Sequence, residues 1–267
     1  MEEKLYFWEN LNGKKVFIHE YIPVKCRHSK CIIFLNPLFD EMHSIQIFHS
    51  ETARQLSKNG YYVVRFDYMS SGDSEGATFD FSFKQCVTDT VELCSHFNHK
   101  YADLELLLLG CRMGATISTL VAAQIPFIHE LILIEPIIAG NRYLYEQKIR
   151  RQMFYKLNRI TTPNYNAIIN QTEYEDLQGY PLNKETLSFL EKLDLREIDI
   201  QGKIILLFKL KYVISKKNIE ELEYWLSKKN KIHKGYCNIS DFWSTNQRTI
   251  TTDLTNLICT TLNHAID

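Results

Sequence analysis

The chain has 267 residues, a formal net charge of −1 and a hydrophobic share of 45%. This length and composition suit one domain of the larger α/β type. A near-neutral bulk charge favours neither nucleic acid nor an anionic membrane as a partner. We see no basic and apolar leader segment and no apolar run of membrane-spanning length. The sequence therefore predicts a cytoplasmic protein with no membrane span and no nucleic-acid partner.

Cysteine and histidine positions bear on redox state and on metal binding. The seven cysteines are an odd number with no C-x-x-C pair, and the nine histidines form no H-x-x-x-H pattern. Scattered cysteines of this kind are typical of reduced thiols rather than of a disulfide framework or a zinc site. We therefore expect no bound metal and no cofactor.

The first half of the chain predicts a sheet with helices on its faces. Segments 4–8 and 14–22 alternate, with Asn12-Gly13 between them, and predict an antiparallel pair. Short apolar strands then alternate with amphipathic helices, which is typical of a parallel sheet with right-handed crossovers. The predicted strands are 30–35, 61–66, 104–109 and 131–134, and the predicted helices are 45–59, 83–97 and 113–124.

The alternating pattern stops between residues 140 and 200. This stretch contains a basic helical segment, a polar segment at 161–182 and a further helix at 183–194. Strand and helix patterns then resume at 203–210, 215–227, 231–236 and 247–263. We predict an α/β core formed by 1–139 and 201–267, with 140–200 inserted as a small helical cap.

The most informative segment is the end of the predicted strand 104–109. It runs into Gly110-Cys111-Arg112-Met113-Gly114, and a helix-compatible segment follows. In a G-x-S-x-G nucleophile elbow, the central serine lies at the tip of a strained strand-to-helix turn. Here the tip residue is Arg112, whose guanidinium stays protonated and cannot attack a carbonyl. Cys111 lies one residue too early, so its side chain is expected to be buried away from the tip.

Segments along nearly the whole chain resemble one known group of proteins. The element order and the elbow resemble the α/β-hydrolase superfamily, and more closely its serine-aminopeptidase-like members known as exosortase-A-system-associated hydrolases of the second type. In that group, too, arginine commonly stands where the nucleophilic serine is expected. The matching stretches are Asn36–Met42, Asp67–Gly76, Gly110–Ala115, Glu135–Leu144, Gly179–Leu182 and Asp241–Trp243. The resemblance implies an α/β-hydrolase fold, but a fold does not establish a reaction.

The other two triad positions also lack the expected residues. In this fold the acid follows the strand predicted at 203–210, but no Asp or Glu occurs there until Glu220. The histidine normally follows the last strand, yet 235–244 contains none, and His233 falls within the predicted strand. Three losses together argue against serine hydrolysis, because loss of the nucleophile alone costs on the order of a million-fold in rate.

Two interpretations of Arg112 stay open. The backbone N–H groups of Leu38 and Met113 map to the oxyanion-hole donors of the fold, and Arg112 makes the site favourable for anions. Arg112 then anchors a carboxylate, a phosphate or a thioester-linked phosphopantetheine. Alternatively, it pairs with Glu41, Asp40 or Glu135 and closes the pocket.

Further candidates lie around the same predicted pocket. Asp40, Glu41 or His43 is a candidate general base; the alternative is that this loop caps a helix and pairs with Arg54 or Arg65. The remaining lining is predicted from Glu135, Arg142, Tyr143 and Trp243. The basic segment that contains Arg142, Tyr143, Arg150 and Arg151 is either a solvated face or the entrance for an anionic ligand or partner.

Two functions of different classes follow from this sequence. The first is a pseudo-hydrolase that binds an acidic or acyl-carrying small molecule, a carrier-linked substrate or a partner protein in a biosynthetic or export pathway. The second is an enzyme with non-serine chemistry, in which Arg112 and the backbone donors polarise an acyl group while Glu41, Asp40 or His43 moves a proton. An open pocket favours the enzyme, and a filled pocket favours the binding protein.

Overall fold

The computed structural model describes residues 1–159, 174–177, 179–211, 216–243 and 251–264. Within these residues the main sheet has eight strands in the order β1-β2-β4-β3-β5-β6-β9-β10. The two pairings of β2 are antiparallel, and every other neighbouring pair is parallel. The predicted mostly parallel sheet flanked by helices is therefore confirmed.

The bounds of the main elements follow the predicted alternation. The strands are β1 Glu2–Glu9, β2 Lys15–Ile22, β3 Lys30–Leu35, β4 Tyr62–Phe66, β5 Glu105–Cys111, β6 Glu130–Ile134, β7 Tyr174–Leu177, β8 Tyr180–Asn183, β9 Ile204–Leu210 and β10 Lys231–Cys237. The helices are α1 Asp40–Ser44, α2 Gln46–Lys58, α3 Phe83–Lys100, α4 Met113–Gln124, α5 Gly140–Leu157, α6 Lys184–Lys192, α7 Lys216–Ser227 and α8 Thr252–His264.

The central strands are buried on both faces. All six residues of β3 are buried, and β5 is buried from Leu106 onward. Two hydrophobic clusters, one on each face of the sheet, cover these strands. Burial on both faces explains why the strands read as continuous apolar runs rather than as alternating patterns.

The structure differs from the sequence prediction at several element boundaries. The helix predicted at 45–59 is α2, and a separate short helix, α1, precedes it. Strand β5 extends two residues past its predicted end, to Cys111. The hairpin β7–β8 lies in the segment predicted to be polar, 161–182, and ends one residue beyond it. Short and weakly patterned elements are difficult to recognise from periodicity alone. The part of the predicted last helix before residue 251 lies outside the described residues.

Helix α5, the hairpin β7–β8 and helix α6 lie between β6 and β9 in the chain, where the cap was predicted. Helix α6 packs against both α5 and α3, so the inserted elements contact a core helix. The division into a core and a cap stays a prediction. In the described part of the chain, no helix combines the length and the apolar character that crossing a bilayer requires.

Candidate functional site

The strand-to-helix turn places Arg112 at the carboxyl edge of the sheet. Arg112 follows β5 directly, precedes α4, and has φ 56° and ψ −121°. A Cβ atom on Gly110 would lie 2.4 Å from the nitrogen of Ala115, and one on Gly114 would lie 2.2 Å from the carbonyl oxygen of Leu35. Both glycines are therefore required for the close packing of strand and helix. The predicted tight turn at Arg112 is confirmed.

The segments that follow the neighbouring strands also contain residues with positive φ. Phe39 after β3 and Glu135 after β6 have φ values of 59° and 45°, close to that of Arg112. Residues other than glycine adopt this left-handed region at a cost of about 1–3 kcal/mol each. Strain of this kind gathers at functional edges, where the surrounding structure holds it in place. These three strand ends define the candidate site.

A buried ion pair occupies the tip of the turn. The Nε and Nη2 atoms of Arg112 donate to the two carboxylate oxygens of Glu41, at 3.4 and 3.3 Å. Only 9% and 2% of the two side chains are exposed. Burial alone would lower the pKa of Arg112, but the Glu41 carboxylate more than offsets this and the pKa lies above its usual value. Arg112 is therefore charged and internally paired.

Helix α5 and one aromatic ring cover this pair. Gln147 and Arg150 approach the Oε1 atom of Glu41, at 3.5 and 3.8 Å. An oxygen of Glu146 lies 4.0 Å from Nη2 of Arg112. The guanidinium stacks over the buried ring of Trp243, with its central carbon 4.9 Å from the ring centroid. The arrangement is therefore a closed cluster and leaves Arg112 buried beneath the helix.

Glu135, one of the three partners considered for Arg112, has a different hydrogen-bond partner. One Glu135 oxygen accepts the backbone N–H of Leu210 at 2.6 Å, and within the described structure no hydrogen bond joins Glu135 to Arg112. The other oxygen, Oε2, is buried and has no hydrogen-bond partner among the described residues. Burial raises the pKa of Glu135 to about 7, although the Leu210 N–H opposes the shift. Glu135 is thus a buried acid beside the ion pair.

The segment before α2, which was predicted to be a loop, forms helix α1 and places its candidate residues in different surroundings. Asp40 and His43 are exposed, whereas Glu41 is buried against Arg112. No side chain caps α1. The expected pairing of this loop with Arg54 or Arg65 is wrong, because Arg54 pairs with Glu3 at 2.9 Å and Arg65 donates to the hydroxyls of Tyr21 and Ser50.

The backbone-donor candidates lie on two sides of the elbow. Met113 is the first residue of α4, and Leu38 lies in the turn after β3; both are buried. Leu38 also lines a cavity of about 240 Å³ at the carboxyl edge of β3 and β4. The imidazole of His43, one of the predicted candidate bases, also lines this cavity. Its apolar walls and hydroxyl groups come from Leu38, Phe39, Met42, Phe81 and Leu182, and from Ser70, Ser71, Thr78 and Tyr180.

The remaining predicted residues have distinct surroundings. Arg142 is exposed and pairs with Glu146 at 3.3 Å, whereas Tyr143 is buried and its ring stacks on that of Phe39. Cys111 is fully buried, and burial raises the pKa of its thiol well above the usual value, as expected of a structural cysteine. His233 lies within β10. The position after β9, where the acid was sought, lies outside the described residues.

Sequence reasoning missed the contribution of α5 to this site. Glu146, Gln147 and Arg150 follow Tyr143 at the spacing i, i+3, i+4 and i+7, which places all four on one face of a helix. That spacing was a usable signal for a helix face directed at the elbow. Among the described residues, no group of three or more His, Cys, Asp or Glu side chains has the geometry to hold a metal ion.

Comparison with known proteins assigns the family. Residues 41–185, more than half of the chain, match the family described as serine aminopeptidase, S33. The chain belongs to the serine aminopeptidase S33 family. The matched segment of this S33 protein contains the elbow, Glu41 and α5.

Curated relatives match only parts of the S33 protein. Monoglyceride lipase of Mus musculus is 33% identical over 95 residues, which is 35% of this chain and 31% of the mouse protein. Monoglyceride lipase of Homo sapiens is 30% identical over 134 residues, covering 49% of this chain and 43% of the human protein. The match therefore spans less than half the length of these relatives.

Solved structures share the whole fold of the S33 protein. An esterase of Pyrococcus furiosus superposes with a TM-score of 0.70 at 13% identity, covering 98% of this chain and 91% of the esterase. A carboxyl esterase of Bacillus coagulans superposes with a TM-score of 0.67 at 14% identity and full coverage of both chains. At such identities these matches show the fold alone, which is that of the α/β-hydrolases.

The raised pKa of Glu135 predicts a pH dependence of stability. The folded protein retains a proton on Glu135 that the unfolded chain releases, so this group's contribution is full below pH 4.5 and is lost as the pH rises to about 7. Glu135→Gln should remove that loss and raise the free energy of unfolding at neutral pH by about 1–3 kcal/mol. Urea titrations across this pH range measure the effect. The exposed-site variant Glu105→Gln is the control, and a parallel pH profile for wild type and Glu135→Gln would contradict the assignment.

Proposed function

We propose that this S33 protein is a pseudo-hydrolase that has lost serine catalysis and binds an acyl-carrying ligand. The observation that carries the proposal is the ion pair of Arg112 with Glu41 at the tip of the elbow. The resemblance to exosortase-associated hydrolases supports a role in a biosynthetic or export pathway. A carrier-linked substrate or a partner protein that presents the acyl group fits the same proposal.

The chemistry of the elbow supports the loss of serine catalysis. A guanidinium has no lone pair available for attack, and the Nε and Nη2 groups of Arg112 already donate hydrogen bonds to Glu41. The stretch 235–244 offers no histidine to accept a proton. Without a base, a serine introduced at the tip would be a weak nucleophile.

The internal pairing of Arg112 favours an acyl ligand over a small anion at the elbow. A ligand anion would have to displace Glu41 and leave its carboxylate buried without a partner, which is costly. The cavity beside Leu38 has an apolar wall with a few hydroxyl groups and the imidazole of His43, which suits an acyl chain with a polar end. The name of the relatives, monoglyceride lipase, also supports an acyl-carrying ligand.

A second candidate function is supported by Glu135. Its buried carboxyl has an unpartnered oxygen within the described structure and a pKa of about 7, which suits a general acid or base at neutral pH. An enzyme of this kind would transfer a proton through Glu135 and would need no serine. Its activity on thioesters or amides should fall strongly in Glu135→Gln, whereas the binding protein shows no turnover to lose.

Serine-directed reagents test the first proposal. We expect fluorophosphonate probes to leave the protein unlabelled and activated esters to show no turnover above background. Arg112→Ser, alone or with Glu41→Gln, should restore neither, because the stretch 235–244, where this fold normally places the histidine base, contains no histidine. Circular dichroism verifies that each variant is folded. Stoichiometric labelling of a pocket serine, or robust esterase turnover in Arg112→Ser, would overturn the proposal.

A substitution at the rim of the cavity tests the location of the ligand. Thr78 is exposed and lines the cavity, so Thr78→Trp should fill the opening without disturbing the core. We expect the affinity for 1-octanoylglycerol, measured by calorimetry, to fall at least tenfold. This corresponds to a loss of at least about 1.4 kcal/mol of binding free energy. Thr88→Trp, at an exposed position on α3, is the matched control. Equal affinity of the wild type and Thr78→Trp, or no binding by the wild type, would contradict this location.

A further inference from the structure

The carboxyl-terminal part of α5 carries large apolar side chains in contact with solvent. Met153, Phe154 and Leu157 are 59%, 57% and 84% exposed. Side chains exposed to this extent lie on a projecting surface and not in a pocket. Single exposed apolar residues are common, but a cluster of large ones marks an interaction site.

These residues continue the helix face that covers the ion pair. Arg150, Met153, Phe154 and Leu157 have the spacing i, i+3, i+4 and i+7, which defines one stripe along a helix. At Arg150 this stripe still contacts Glu41, at 3.8 Å. Beyond that point the stripe runs past the covered part of α5 and becomes exposed. The apolar end therefore projects beside the candidate site.

The same segment has a strong positive charge. Between residues 150 and 159 the sequence contains Arg150, Arg151, Lys156 and Arg159 and no acidic residue. Lys156 and Arg159 are exposed. The near-zero net charge of the whole chain does not reveal this local concentration of positive charge. From the sequence alone, the segment was predicted to be either a solvated face or the entrance for an anionic ligand or partner. We call residues 150–159, which are the last part of α5 and the two residues after it, the basic-apolar end of α5.

The combination of charge and shape selects the partner. In a symmetric contact between two copies of this chain, the basic-apolar end would face the same positive charges, which repel. A folded partner with a groove would need an acidic rim. An anionic bilayer surface offers negative headgroups above an apolar layer, in the order that basic and apolar side chains require.

We propose that the basic-apolar end of α5 docks this protein on an anionic lipid surface. Phe154 and Leu157 insert at the boundary between headgroups and acyl chains, while Lys156 and Arg159 contact lipid headgroups. Docking in this orientation places the candidate site next to the membrane. It is a property of the helix surface and does not require the proposed function.

Vesicle sedimentation tests this docking with the intact protein. Phosphatidylcholine vesicles are compared with vesicles that also contain about 30% phosphatidylserine, an anionic fraction that gives a negative surface potential. We expect the protein to bind the phosphatidylserine vesicles and to bind less strongly at high salt, because salt screens the attraction. Phe154→Ser/Leu157→Ser should lower the partition coefficient at least tenfold. Lys156→Glu/Arg159→Glu should abolish the preference for phosphatidylserine.

The matched control is Leu11→Ser/Val24→Ser, which removes two apolar side chains that are 86% and 91% exposed elsewhere on the surface. This control should bind vesicles as the wild type does. The proposal is overturned if the wild type does not bind phosphatidylserine vesicles, or if the control loses as much binding as Phe154→Ser/Leu157→Ser. It is also overturned if light scattering shows a dimer that Phe154→Ser/Leu157→Ser dissociates, since the surface then serves a second copy of the chain.

Discussion

The buried ion pair between Arg112 and Glu41 is the contact on which the arrangement of this site depends. Arg112 comes from the turn after β5, and Glu41 comes from α1 after β3. The pair therefore ties together the carboxyl ends of two neighbouring strands. Burying two charges costs several kcal/mol per ion, and mutual pairing recovers that cost only in good geometry. Once the pair is formed, removing either partner would leave the other charge buried without a counter-charge, which is strongly destabilising.

Helix α5 and the strained strand ends extend this constraint outward. Gln147 and Arg150 reach the same carboxylate, so the position of α5 is coupled to that of Glu41. Phe39 and Arg112, at the two strand ends that the pair connects, both have positive φ values. Backbone strain at a functional edge persists when the surroundings hold it. Here the ion pair, the stacked Trp243 ring and α5 provide that restraint.

The internal pairing of Arg112 determines what this edge of the scaffold presents. In a G-x-S-x-G elbow the tip side chain faces substrate, and the site must stay accessible. In this chain the tip side chain is satisfied internally, and the accessible space lies beside it, in the cavity lined by Leu38 and Phe39. This arrangement supports the proposed function, in which the scaffold holds a ligand without transforming it.

The sequence predicted the central sheet well because long apolar runs leave few alternatives. The apolar runs of β3 and β5, and the glycines around Arg112, made both the strands and the elbow predictable. Glu41 could be named only as one of three partners, since a loop does not reveal which side chain turns inward. The hairpin β7–β8 was missed because Tyr174–Leu177 is short and polar. The role of Arg150 depended on the placement of α5, which only tertiary structure supplies.

A double-mutant cycle on Arg112 and Glu41 tests the central claim most directly. Arg112→Met, Glu41→Met and the double variant are compared with the wild type by urea unfolding. If the ion pair is the buried contact described above, each single change should lower the free energy of unfolding by about 3–5 kcal/mol, because it leaves a buried charge without its partner. The double variant should then be far more stable than the sum of the two changes implies, with a coupling of about 2 kcal/mol or more. Additive effects, with a coupling under about 0.5 kcal/mol, would show that the pair does not hold the site closed.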